Sequence, residues 1–346
     1  MRKMLITGGA GFIGVNAVRH FLQKGWQVTI FDNFSRRGTE FNVERLRADH
    51  PEGCAVVRGD IRTDTGLLQS LMAEQDVVLH LAAQVAVTTS VTDPRTDFDT
   101  NALGTFNVLE AVRLSERRPF LIYASTNKVY GGLDDIPVRE EAERYVFEGG
   151  RTGVPETQQL DFHSPYGCSK GAADQYVRDY ARIYSLQTVV FRQSCIYGPH
   201  QLGMEDQGWV AWFLIAGLFG RPVQIYGNGK QVRDLLYVDD LVRCYEHAIE
   251  RRESVSGHVF NLGGGAANTL SLLEFFALAK QEFNLPIETS FAPVRPGDQP
   301  IFVSDNTAAL HALDWQPEMP VRDGIANLVA WLRDHQEDLR QFYADR

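Results

Sequence analysis

A chain of 346 residues, 44% hydrophobic and 23% charged, is long for one average domain and short for three, so one large α/β domain with a smaller partner is expected. A formal net charge of −10 argues against non-specific binding to nucleic acid or an anionic membrane, and no apolar run reaches the ~20 residues of a membrane span. The amino terminus is like a signal peptide only until its glycines interrupt it, and Cys54, Cys168, Cys195 and Cys244 form no close metal-ligand pair, so a cytoplasmic protein with free thiols and no metal is expected.

Lys3 to Thr7 reads as a short buried strand, followed by the turn Gly8-Gly9-Ala10-Gly11-Phe12-Ile13-Gly14 and a helix to about Lys24. Gln27 to Phe31, Ala55 to Arg58, Asp76 to His80, Phe120 to Ala124 and Thr188 to Arg192 continue the strands. Helical stretches separate them, notably Asp97 to Arg117 and Tyr166 to Tyr184. Apolar strands alternating with helices predict an α/β fold with a doubly wound, Rossmann-type parallel sheet. After Arg192, Gly and Pro are frequent, and helices such as Trp209 to Phe219, Asp239 to Glu250 and Leu272 to Glu282 alternate irregularly with short strands. Residues 1–192 are therefore expected to form the larger sheet domain with some later elements interleaved, and residues 193–346 mainly a smaller α/β domain.

The glycine turn follows a strand and opens a helix, which suits a pyrophosphate: tight turning, close backbone approach and free N–H groups at a helix start. Any glycine-rich turn matches this pattern in part. Asp32, 18 residues after Gly14 at the end of the second strand, is placed to hold a ribose diol; its other reading is a cap or turn residue. Its charge would repel a 2′-phosphate, whereas Arg36 and Arg37 pull the other way from beyond the strand end, so NAD is favoured over NADP. Asn33 adjoins Asp32. Asp60 and Ile61 after the third strand serve the adenine edge or a simple turn, and Leu81-Ala82-Ala83 supplies small residues where a cofactor crosses the sheet. His80 is read as a packed polar residue.

Tyr166 and Lys170 form Tyr-x-x-x-Lys at the start of a strong helix, on one helix face. A nearby ammonium lowers a phenol's pKa toward working pH, so Tyr166 becomes a base. Lys170 can also hold a nicotinamide ribose. Thr126 lies just past the fifth strand, where its hydroxyl can meet a reacting sugar oxygen or simply satisfy the backbone.

Together, Gly8/Gly11/Gly14, Asp32, Ser125-Thr126 with Val129-Tyr130-Gly131, and Tyr166/Lys170 resemble the extended short-chain dehydrogenase/reductase family over nearly the whole chain. The resemblance implies Thr126, Tyr166 and Lys170 as the catalytic triad. It also implies that Arg233, in Gly227 to Asp234, and Arg295, in Pro293-Val294-Arg295-Pro296-Gly297-Asp298, grip a nucleotide diphosphate, with surface arginines as the plainer reading. Ser125 to Gly131, Asp161 to Tyr176 and Asp206 to Phe213 look like the family's 2-epimerases of CDP-linked sugars, which transiently oxidise C2 with tightly bound NAD and then reduce it again. Gln193-Ser194-Cys195 and Pro199-His200-Gln201-Leu202 depart from that pattern and leave the substrate open. In the similar 4,6-dehydratases an Asp and a Glu follow the catalytic Thr; here Asn127 and Lys128 stand there, as substrate-side residues ill suited to eliminating water. A 4-epimerase of the same fold is the enzymatic rival, and a non-catalytic NAD-binding scaffold the rival of another class. Asp97 to Arg117 and Tyr166 to Tyr184 are expected to form a four-helix homodimer interface, as in many relatives.

Overall fold

Along the strand Lys3–Thr7, Met4 and Ile6 face one packing layer and Leu5 the other, and all three are fully buried. The alternation recurs in the next strands: Leu79, Ile122 and Phe191 join Met4 on one face, while Val78, Leu121 and Val190 join Leu5 on the other. A sheet apolar on both faces must be covered twice, which parallel strands linked through helices achieve.

In the computed structural model, which describes residues 1–50, 53–295 and 298–343, seven strands pair in parallel. Their order is His258–Leu262, Thr188–Gln193, Phe120–Thr126, Val77–His80, Lys3–Thr7, Gln27–Asp32 and Cys54–Arg58. The chain leaves Lys3–Thr7 toward one edge and comes back on its other side at Val77–His80, opening a crevice beyond the carboxyl ends of these two strands. The outermost strand, His258–Leu262, comes from the carboxyl-terminal half of the chain. Pro296 and Gly297, in the expected Arg295 segment, lie outside the described residues.

A second, smaller sheet is built on Val232–Tyr237. It pairs antiparallel with Thr269–Ser271, parallel with Ile301–Phe302, and at its far end parallel with Cys195–Tyr197. Ser271 and Glu274 form a reciprocal capping box that starts the following helix Leu272–Phe283. Phe213, Leu214, Phe275, Leu328 and Tyr343 pack as this sheet's apolar core.

Several expected boundaries move by a residue or two, and two changes bear on the site. The helix read from Asp97 to Arg117 is three pieces: Pro94–Phe98, a wide π turn Asp99–Leu103, and Gly104–Leu114. The wide turn brings Asn101 inward, where it bonds Gln84, Asp97 and Ser169, a tertiary demand that helical periodicity does not register. Thr126 is the last residue of its strand rather than the first beyond it, because Thr126 still pairs with Gln193. Among the described residues, no helix is long and apolar enough to cross a membrane.

Candidate functional site

The crevice is shaped by residues that tolerate no extra atoms. Gly8 has φ of 69°, and a Cβ there would lie 2.6 Å from Ala82 N, on the neighbouring strand's exit. A Cβ on Gly14 would lie 2.6 Å from the Gly9 Cα, so turn and helix are in direct backbone contact. The helix Phe12–Gln23 starts at Gly11 with no side-chain cap and no acidic residue in its first turn, leaving N–H groups available to an anion. Phe12 and Ile13 pack against the core behind it.

Asp32 closes the far side of the crevice. Its carboxylate accepts from Ala10 N at 3.1 Å and Phe34 N at 2.9 Å, tying the glycine turn to the second strand's end, while burial raises its pKa. Arg37 bonds the Phe342 carbonyl and lies over the Phe342 ring, and burial lowers the pKa of Arg36 against the opposing pull of Tyr343. Both arginines are thus engaged with the helix Gln336–Tyr343. Asn33 donates to Asp60 at 3.0 Å, and Asp60 is bound by Arg62 and held down to about 2, chiefly by that bond. Ile61 is buried, and its carbonyl accepts from Asn107. Leu81 continues the sheet through its N–H to Thr7 O at 3.0 Å, and Ala82 and Ala83 follow it along the crevice floor. This glycine cradle, uncapped helix start and buried carboxylate fit a dinucleotide. His80 is wedged between Thr7 at 2.6 Å and Thr105 at 3.0 Å, and burial lowers its pKa to about 3, as suits a packed neutral imidazole.

Thr126, Tyr166 and Lys170 are all buried, Tyr166 against the Thr126 hydroxyl and Lys170 against the backbone of Ala124 on the same strand. The helix Ser164–Tyr184 carries the latter two; Pro165 stands in its first turn and Ser164 Oγ accepts from Gly167 N at 3.2 Å. Tyr166 faces the Thr126 hydroxyl, and its N–H donates to Ser90 Oγ at 3.2 Å. Lys170 Nζ donates to Ala124 O at 2.6 Å and lies 4.4 Å from the Tyr123 ring centroid. Burial drives Lys170 down to about 7, against the pull of Asp174 and Asp97, and pushes Tyr166 up to about 12. The expected fall of the Tyr166 pKa is therefore corrected: desolvation dominates, and the ammonium is turned to a backbone carbonyl.

On the substrate side, Arg233 donates to Asp298 at 2.7 Å, and Lys128 Nζ stands 3.9 Å from the same carboxylate. Burial, then the neighbouring Arg233, lowers Lys128 to about 8, so its amine is closer to neutral than an ordinary lysine. Cys195 shares this surround, and burial pushes its thiol up to about 12. Arg295 stacks 3.7 Å from the Tyr226 ring centroid and faces Glu205 and Asp206 at 3.9 and 3.8 Å. Asn127 donates to Gln299 at 3.2 Å.

Several participants carried no motif. Asp97 and Asn101, both buried, bond Ser169 and flank Lys170's helix. Asp174 accepts from Arg192 at 2.9 and 3.0 Å and from Ser125 at 2.8 Å, fixing the residue before Thr126. Spacing of Asp174 four residues after Lys170 was the one sequence signal available.

Comparison with known proteins agrees with this geometry. The profile of the GDP-mannose 4,6 dehydratase family matches residues 5–328. CDP-paratose 2-epimerase of Salmonella typhi is 44% identical over 337 residues, 95% of this chain and 98% of that protein. The structure of UDP-glucose 4-epimerase with UDP-glucose from Thermotoga maritima superposes with a TM-score of 0.81 at 30% identity, covering 96% of this chain and 99% of that one. A dTDP-glucose 4,6-dehydratase from Streptomyces venezuelae with NAD bound gives a TM-score of 0.83 at 26% identity, covering 98% of this chain and 99% of that one.

Proposed function

This chain belongs to the GDP-mannose 4,6 dehydratase family of extended short-chain dehydrogenases/reductases, and from that premise we propose that it is an NAD-dependent isomerase inverting C2 of a nucleotide-linked sugar, of the CDP-paratose to CDP-tyvelose type. The observation that favours epimerisation over elimination is the Thr126-Asn127-Lys128 corner, a hydroxyl beside the buried Tyr166 followed by an amide and an amine where elimination would need an acid and a base, and the likeness to CDP-paratose 2-epimerase supports C2 over C4. Lys128, lowered to about 8, is still mostly protonated at pH 7, and Asn127 beside it carries no ionisable proton, so the acid–base pair that elimination needs is broken at Asn127.

Gly8, Gly11 and Gly14 with the start of helix Phe12–Gln23 take the pyrophosphate of NAD; Asp32 and Asn33 take the adenosine ribose, and Asp60 and Ile61 border the adenine. Leu81, Ala82 and Ala83 floor the crossing, and Lys170 holds the second ribose. Bound NAD supplies a reversible two-electron acceptor, so that C2 becomes a ketone and, once the sugar presents its other face, an inverted alcohol. Tyr166 takes the C2 hydroxyl proton and gives it back, with Thr126 bonding the same oxygen. Desolvation holds the unliganded phenol near 12, so its ionisation must be assisted by charge brought in on binding. Arg233 and Arg295 hold the diphosphate, displacing the carboxylates that engage them.

In this reading residues 1–192, completed by His258–Leu262, hold the cofactor and residues 193–346 mainly hold the sugar nucleotide. Phe98, Phe106, Tyr176 and Ile183 are exposed apolar side chains on neighbouring helices, which supports a homodimer packed through those helices. Free thiols at all four cysteines support a cytoplasmic setting.

A substrate screen over CDP-, GDP- and UDP-sugars, followed by turnover of the C2-deuterated substrate, tests the assignment. The product should be inverted at C2 and keep its deuterium in ordinary water. Inversion at C4 would make the enzyme a 4-epimerase, deuterium exchange would mean proton abstraction from carbon, and a 4-keto-6-deoxy product would mean dehydration.

A further inference from the structure

Building on the assignment of Thr126 and Tyr166 to the chemistry, we infer that Gln299 is a positioning residue that sets, through Asn127, which hydrogen bonds the Thr126 hydroxyl is free to make. Gln299 is 1% exposed and lies 172 residues from Asn127 in sequence. It directly follows Asp298, the partner of Arg233.

The polarity of the chain starts at an atom with no choice. Gly131 O is a backbone carbonyl and only accepts, so the Gln299 group 2.6 Å from it is the Nε2 amide donor. Gln299 Oε1 is thereby turned to Asn127 and accepts from its Nδ2 at 3.2 Å. Asn127 Oδ1 then faces Thr126, whose Oγ1 donates to it at 3.4 Å. Thr126 Oγ1 also accepts from Lys128 N at 3.2 Å.

A hydroxyl has one proton and two lone pairs. Lys128 N occupies one lone pair, and the proton rests on Asn127 Oδ1 through a long bond that a better acceptor can replace. The remaining lone pair is left to Tyr166, whose side chain faces this hydroxyl. Thr126 can therefore accept from the reacting centre or swing its proton over and donate to it. Turning the Asn127 amide over would put its NH2 where Oδ1 now accepts, so the hydroxyl would rotate a lone pair onto it, and with both lone pairs filled by N–H groups Thr126 could only donate. Epimerisation carries a proton out and back in every turnover, so it needs a hydroxyl capable of both roles. Gln299 preserves that capacity by keeping Asn127 from turning.

Gln299→Leu, Gln299→Glu, Asn127→Ala and the Gln299→Leu/Asn127→Ala pair test this, using the sugar nucleotide on which the wild type turns over fastest. Gln299→Leu should lower kcat about tenfold with KM within about twofold, and should add nothing in the Asn127→Ala background. Gln299→Glu should be active while its buried carboxyl is protonated, since C=O and O–H then reproduce both bonds. Its kcat should fall as pH rises through a range where wild type is flat, and this variant carries the test if the leucine variant does not fold. A rise in KM alone, additive losses in the pair, or kcat within twofold of wild type for Gln299→Leu would overturn the inference. Tyr166→Phe, run alongside, separates the two claims: if it keeps near-normal turnover, the assignment of the base has failed instead.

Discussion

Replacing Lys170 with Met should make the cofactor-free protein more stable while abolishing turnover. The ammonium is 4% exposed, has one hydrogen bond at 2.6 Å to Ala124 O, and titrates at about 7 rather than 10.5 because burial disfavours its charge. At pH 7 that lowering corresponds to a cost of roughly 4 kcal/mol, from ~1.4 kcal/mol per pH unit. Methionine fills similar volume without charge but leaves the Ala124 carbonyl one donor short, which returns about 1–2 kcal/mol. The net gain is about 2–3 kcal/mol, or roughly 4–6 °C in Tm at the lower end of the range for large domains. Below pH 7 the folded and unfolded lysines are both protonated and the cost is fully present. Between 7 and 10.5 only the unfolded lysine holds the proton, so wild-type stability rises with pH, and above 10.5 the cost has gone. The other titrating groups are common to both proteins, so the difference between their unfolding curves at pH 6 to 10 reports this lysine together with its coupling to Asp97 and His80. The measurement is thermal unfolding of dinucleotide-stripped protein, since bound NAD would add its own stabilisation. A variant no more stable than wild type at pH 7, or a stability difference that does not shrink as pH rises, would refute the reasoning.

Tyr166→Phe should lower turnover by about two to four orders of magnitude with little change in sugar-nucleotide affinity, checked by kinetics and calorimetric titration. Denaturing the purified protein should release NAD, and Asp32→Ala should weaken NAD by roughly 1–3 kcal/mol in equilibrium dialysis, part of it through the lost Ala10 and Phe34 bonds; release of NADP instead would contradict the reading. Asp174→Asn leaves a fully buried Arg192 without its counter-charge and should cost about 3–5 kcal/mol in urea unfolding, whereas a joint Asp174→Leu/Arg192→Met change should recover much of it. Tyr176→Glu should convert a sedimenting dimer into a monomer; a wild type that is monomeric at micromolar concentration would remove the interface.

The sequence by itself determined the features that depend on neighbours along the chain. Alternating apolar residues in Lys3–Thr7 and its companions require a sheet covered on both faces, and the glycine spacing after the first strand requires a tight turn into a helix. Tyr166 and Lys170 share a helix face because they are four residues apart. The resemblance carried by these local runs is why the family was legible at once. What the tertiary structure decided is of another kind. The lowered Lys170 and Lys128 and the raised Tyr166 follow chiefly from desolvation, which depends on how much of the rest of the chain lies around a group. The inward turn of Asn101 comes from packing between helices, and Asn127 meets Gln299 across 172 residues. Periodicity reports a face and an order, but burial and long-range hydrogen-bond direction exist only once the chain has closed on itself.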